Sequence, residues 1–134
     1  MISNNDIAEL FDADPECVYN DGDLVGICID GLVRPLLTGS SIKPVEYVGV
    51  VSLNPAAILG GIIGNTSKIS IAICGRKYCW VRGTGNLIGR KVVVDYERGI
   101  FKVWDKLFDS NYNGIILSVE EENNDKSLCY ILLK

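Results

Sequence analysis

The sequence predicts an all-β fold, a compact antiparallel β-barrel or sandwich, and three observations predict it. Short runs rich in Val, Ile, Leu, Tyr and Trp recur at even spacing along most of the 134 residues, as half-buried pleated strands require. Turn signals separate them, among them Asp30-Gly31, Gly60-Gly61, Gly64-Asn65 and Arg98-Gly99. The third observation is an internal echo. Gly22-Asp23-Leu24-Val25, the turn at Asp30-Gly31 and Tyr47-Val48-Gly49-Val50-Val51-Ser52 recur as Gly89-Arg90-Lys91-Val92, the turn at Arg98-Gly99 and Tyr112-Asn113-Gly114-Ile115-Ile116-Leu117-Ser118. Two such halves imply a barrel with a pseudo-twofold internal repeat.

The chain opens with a polar, acidic arm over residues 1–20. Ser3 reads as an N-cap with Asp6 three residues on, so Ser3 to Phe11 is expected as a short N-terminal helix carrying Ile7, Leu10 and Phe11 on one face. Asp12-Ala13-Asp14-Pro15 ends it, because Pro15 cannot continue a helix. Two turns of helix are marginal alone, so the arm is expected to dock.

The β-barrel domain is expected over residues 21–134. Gly22 to Ile29 is a strand, Asp30-Gly31 a hairpin turn, and Leu32 to Leu37 the return, which Pro35 places at an edge or ends early. Val45 to Leu53 is the strand around which the others are organised, stopped by Asn54-Pro55. Lys68 to Cys74 alternates almost strictly, Gly75-Arg76 reads as a turn, and Tyr78 to Arg82 is the next strand. Lys91 to Asp95 and Ile100 to Trp104 form another hairpin, Asn113 to Glu120 is a strand, and Ser127 to Leu133 closes the sheet.

A hydrophobic content of 48% supports a real core in a single domain. The longest charge-free apolar stretch, Pro55 to Ser67, is broken by glycines and too short for a helix that crosses a bilayer, so no membrane partner is expected. Met1 to Phe11 lacks the basic start and apolar run of a secretory signal, which predicts synthesis in the cytoplasm. Cys17, Cys28, Cys74, Cys79 and Cys129 are an odd set, expected as thiols.

The chain contains no histidine. A zinc site at Cys74-x4-Cys79 therefore lacks further ligands, and neither a cysteine nor Ser52, Ser70 or Ser118 has an imidazole base. Gly83-Thr84-Gly85-Asn86 lacks the Lys-Ser/Thr of a phosphate-binding loop, and Glu120-Glu121-Glu122 reads as a solvated hairpin tip. No catalytic residue, metal ligand or cofactor is expected. Trp80, Trp104 and Tyr96 are strand aromatics of the kind found in cores and between subunits. Ile7, Leu10, Phe11, Trp80 and Trp104 are the candidate interaction residues.

The net charge of −4 is segregated into balances of −8 over residues 1–31, +7 over 32–106 and −3 over 107–134. An acidic arm beside a basic barrel is expected to contact another chain, with burial of Ile7, Leu10 and Phe11 giving the affinity and charge the orientation. Nucleic acid is a poor receiver, since the basic residues lie between acidic flanks.

One set of motifs resembles a known family. Gly22-Asp23-Leu24-Val25, Val33-Arg34-Pro35, Val48-Gly49-Val50-Val51-Ser52 with Asn54-Pro55 and Leu59-Gly60, Ile71-Ala72-Ile73 with Gly75-Arg76, and Gly114-Ile115-Ile116-Leu117 follow in order over Gly22 to Leu133. In that order they resemble the β-rich C-terminal module of phage tail fibres, spikes and appendages, which includes the self-cleaving intramolecular-chaperone type of the G2 peptidase family. Two departures stand out. Gly89-Arg90 replaces the family's second Gly-Asp, and Met1 lies so close ahead of the first strand that no passenger is expected to be released.

The resemblance implies a non-enzymatic structural protein of a virus particle, a capsid auxiliary (decoration) or fibre-base protein located in the virion. Its implied partners are the major capsid or other virion proteins and its own copies, with a homotrimer favoured. An autoproteolytic or chaperone module of a tail fibre is the second expectation, and a cellular β-barrel that binds a small ligand the third.

Overall fold

The computed structural model describes residues 7–53 and 68–134. The Asn54-Pro55 stop, the Gly60-Gly61 and Gly64-Asn65 turns and the Ser3 cap lie outside those residues. The described residues form nine strands and no helix: β1 (Ile7–Asp12), β2 (Leu24–Ile27), β3 (Val33–Pro35), β4 (Glu46–Val51), β5 (Lys68–Arg82), β6 (Lys91–Asp95), β7 (Ile100–Val103), β8 (Gly114–Asn123) and β9 (Lys126–Leu133).

Among the described residues the expected N-terminal helix is not there. Ile7–Asp12 is strand β1, antiparallel to β5 from Ile7 opposite Cys74 to Asp12 opposite Lys68. A two-turn helix leaves most of its backbone groups without internal partners, whereas the edge of β5 supplies a ladder to this whole segment. The Lys68 ammonium then pairs with the Asp12 carboxylate at 2.6 Å. The expected turn at Gly75-Arg76 is also absent. β5 runs unbroken for fifteen residues, with Gly75 held at φ +106° inside it, so the glycine bends a strand rather than ending one.

That bend divides β5 between two sets of neighbours. Its first portion lies between β1 and β4, and its second portion pairs antiparallel with β9 from Gly75–Leu133 to Arg82–Lys126. A parallel contact of Val81 with Phe101 joins β5 to β7. The circuit β5-β7-β6-β8-β9 returns to β5, a closed five-strand barrel with β1 to β4 attached. One parallel pairing therefore closes an otherwise antiparallel barrel.

The sequence echo has a counterpart in strand pairing. The first half has the order β3-β2-β4-β5 and the second β7-β6-β8-β9. Gly22 N–H donates to the Val51 carbonyl and Val51 N–H to that of Asp23; Gly89 to Ile116 and Ile116 to Arg90 repeat both bonds. Val50 faces Ala72 as Ile115 faces Leu132, and Ile27 faces Val33 as Val94 faces Phe101. The parallel closure by Val81 and Phe101 corresponds to an isolated parallel bridge between Ala13 and Val33. Strand β1 thus stands to the first half as the second portion of β5 stands to the second.

Burial follows the same register. Ala13, Val25, Val33, Val51, Ile69 and Ile71 form the inner cluster of the first half. Their counterparts Val81, Val92, Phe101, Ile116, Cys129 and Ile131 all lie in the larger core of the second. Leu24, Leu36, Val50 and Ala72, on the opposite face of the first half, join that larger core. Period-2 alternation thus gives the first half two buried faces.

Two glycines permit the tight strand contacts. A Cβ at Gly49 would lie 2.5 Å from the Ala72 carbonyl oxygen, and one at Gly114 2.9 Å from that of Leu132. Gly49→Ala is expected to cost about 1–3 kcal/mol, as overpacking does. Gly39→Ala, with nothing within 4 Å of the new methyl, is expected to stay within about 0.5 kcal/mol of the parent. Urea unfolding midpoints check both, and equal midpoints for Gly49→Ala and the parent would contradict this packing.

Candidate functional site

Among the described residues no group of three or more His, Cys, Asp or Glu side chains is arranged to hold a metal ion. Of the serines singled out from sequence, Ser52 lies beside Ser70, its N–H donating to the Ser70 carbonyl at 2.9 Å. Ser70 is buried on β5, while the Ser118 hydroxyl on β8 donates to Glu120. Glu120, Glu121 and Glu122 are exposed along β8, and the Glu122 carboxylate accepts from the Gly85 N–H of the glycine-rich loop.

The five cysteines are thiols. Cys79 and Cys129 face each other across β5 and β9, wholly buried. Burial pushes the Cys79 thiol up to about 12 and the Cys129 thiol up to about 11, because a thiolate there would lose its hydration. Both are protonated at neutral pH and serve as packing.

The most strongly organised polar group is structural in its placement. Arg34, on β3, sends Nε to Asp14 at 2.9 Å and Nη2 to Asp30 at 2.9 Å, with its side chain 4% exposed. Tyr19 seals the same junction by donating its hydroxyl to the Val33 carbonyl at 2.8 Å and accepting the Asp14 N–H at 3.1 Å. These bonds hold the segment after β1 against β3, where Ala13 and Val33 make only one bridge.

Several aromatic side chains lie at or near the surface. On β5 and β9, Tyr78 stacks on Tyr130 with centroids 4.6 Å apart, and Trp80 lies under the Lys126 ammonium at 4.5 Å. A second cluster lies elsewhere: Lys91 stands 4.9 Å from the Trp104 ring and 4.6 Å from that of Tyr112, and Lys134 covers Tyr112 at 4.0 Å. The buried Trp104 indole N–H has no acceptor among the described residues. Tyr96 receives the Tyr47 N–H on its hydroxyl at 3.1 Å beside a shallow groove lined also by Phe108 and Asn113. Phe108 itself is 84% exposed.

The five residues predicted from sequence are therefore distributed. Ile7 and Leu10 are 46% and 50% exposed, whereas Phe11 packs against the inner cluster of the first half. A helix would have placed all three on one face; strand alternation sends Leu10 and Phe11 to opposite faces. Trp80 and Trp104 belong to separate clusters, each with its own lysine. Sequence reading missed Tyr112, Lys91, Ile115 and Leu132. The internal echo contains the signal, since it sets Lys91 against Leu24 and so marks where the halves differ.

Two outcomes follow for titration. The Glu16 N–H and then Arg34 hold Asp14 below its ordinary value of 3.8, and Arg34 holds Asp30 below the same value. A lowered folded-state pKa stabilises above the unfolded value and is lost as pH falls through the folded one. Urea midpoints of the parent are expected to fall as pH drops below about 4, and the Asp14→Asn/Asp30→Asn double variant should fall less steeply. Identical slopes would deny these carboxylates that role. With a thiol reagent near neutral pH, Cys79 and Cys129 should stay unreacted in the native protein and all five cysteines should react after unfolding; fewer than five would reveal a disulfide.

No protein-family model, no curated protein and no solved structure matches this chain. The surface is left to be read from its own residues.

Proposed function

We propose that this chain is a non-enzymatic structural protein of a virus particle, a capsid auxiliary or fibre-base protein that works by contact with other proteins. The single observation that carries the contact role is the display of large apolar side chains on a well-packed barrel. Phe108 at 84% and Leu107 at 78% exposure stand beside each other in the turn after β7, braced where the Asp105 carbonyl accepts the N–H groups of Phe108 and Asp109. Exposed apolar groups held on a rigid scaffold are what a protein interface uses for its buried centre.

The virion setting rests on the order of motifs from Gly22 to Leu133 that resembles phage appendage modules. We read the repeated strand order as a pseudo-twofold duplication within one domain, and the partners as the capsid shell and further copies of the chain, with three copies favoured. Buried, protonated Cys79 and Cys129 and a fully engaged Arg34 support packing roles over chemistry at those groups.

Quantitative mass spectrometry of purified particles tests this reading. The chain is expected at a fixed ratio to the major capsid protein. Phe108→Asp, at a side chain that contributes little to the core, is expected to leave the unfolding midpoint unchanged and to lower the number of copies incorporated. Absence of the chain from particles would overturn the proposal.

A further inference from the structure

The outer face of the first half is covered by the second. Leu24, Leu36, Val50 and Ala72 are each at most 7% exposed, and Tyr47 meets the Phe101 ring edge-on at 6.0 Å. The shared register assigns each a counterpart. Leu36 N–H donates to the Leu24 carbonyl as Trp104 N–H donates to that of Lys91; Val50 and Ala72 correspond to Ile115 and Leu132; and Tyr47 matches Tyr112 in the echo.

In the second half this face is not buried. Lys91 is exposed, and Trp104, Tyr112, Ile115 and Leu132 are partly so. A cleft of about 300 Å³ opens here, lined in part by Tyr112, Ile115, Leu132 and Lys134. Lys91 and Lys134 lie over aromatic rings, and neither pairs with a carboxylate among the described residues.

We propose that this uncovered face seats the first half of a second copy of the chain, head to tail, repeating between molecules the contact that joins the two halves within one. Two observations select that occupant. The rim that covers the first half comes from the closure of the second, around Val81 and Phe101; its counterpart is the closure of the first half, where Ala13 and Val33 are buried and Leu10, three residues before Ala13 on β1, is half-exposed. Every charged residue from 7 to 31 is acidic, and Glu9, Glu16 and Asp23 among them make no ion pair among the described residues, which complements a face edged by Lys91 and Lys134. Charge of this kind orients the encounter while the apolar face supplies the affinity. A head-to-tail contact is heterologous, so it closes into a ring or continues as a filament. The inference goes beyond the particle reading and holds for the purified protein alone.

Sedimentation equilibrium of the purified chain tests it. The parent is expected to associate, more weakly at moderate than at low salt. Leu132→Asp disables the seat and Leu10→Asp the occupant, so each variant alone should be monomeric. Mixed one to one they should form a dimer, because the intact first half of the former fits the intact face of the latter. Lys91→Glu/Lys134→Glu, on exposed side chains, should raise the dissociation constant at least tenfold and serves if Leu132→Asp does not fold. A monomeric parent, undiminished association of the Lys91→Glu/Lys134→Glu variant, or a mixture that stays monomeric would overturn the proposal. None of these outcomes bears on whether the chain is present in particles, which the copy count measures separately.

Discussion

The backbone hydrogen bonds of β5 are the constraint on which the rest of the structure depends. A fifteen-residue strand presents donors and acceptors along both edges, and those that are buried must find partners. Before Gly75 the partners are β1 and β4; after it they are β9 and, at Val81, β7. The left-handed φ of Gly75 turns the strand as it changes neighbours, at a position where a side chain would be strained. Both inner cores then form on strands that β5 has set in place.

Polar groups play a secondary, positional part. The first half is closed by a single bridge, and Arg34 with Asp14, Asp30 and Tyr19 reinforces it. In the second half Val81, Phe101 and the packed outer face of the first half do this with apolar contact. A buried guanidinium is acceptable here because two carboxylates meet it. In the basic and aromatic pairs Lys126 over Trp80 and Lys134 over Tyr112, the ammonium itself meets the negative face of a ring.

Much of the fold was legible because alternation, turn glycines and β-branched runs act locally. The hairpin at Asp30-Gly31, the Gly49 strand and the echo around Gly89 all lie in recognisable strand-and-turn contexts. Two features were not legible for the same reason. Whether Ile7–Asp12 is helix or strand depends on an open edge of β5 that only the folded sheet creates, and a glycine at positive φ signals a turn just as well as a bend inside a strand. The surface was harder still. Trp80 and Trp104 stand out by residue type, but their separate lysine partners arise from cross-strand placement. Lys91 becomes informative only when set against Leu24.

The shared strand also says how such a molecule grows. The first portion of β5 occupies in the first half the place that β9 occupies in the second, and its second portion occupies the place of β1. The first half thus ends on the strand whose continuation begins the second. A unit can be appended by lengthening its last strand across a glycine, with no linker and no new docking surface to invent. Conversely, the first half cannot be excised without loss, since separation strips the cover from Leu24, Leu36, Val50 and Ala72.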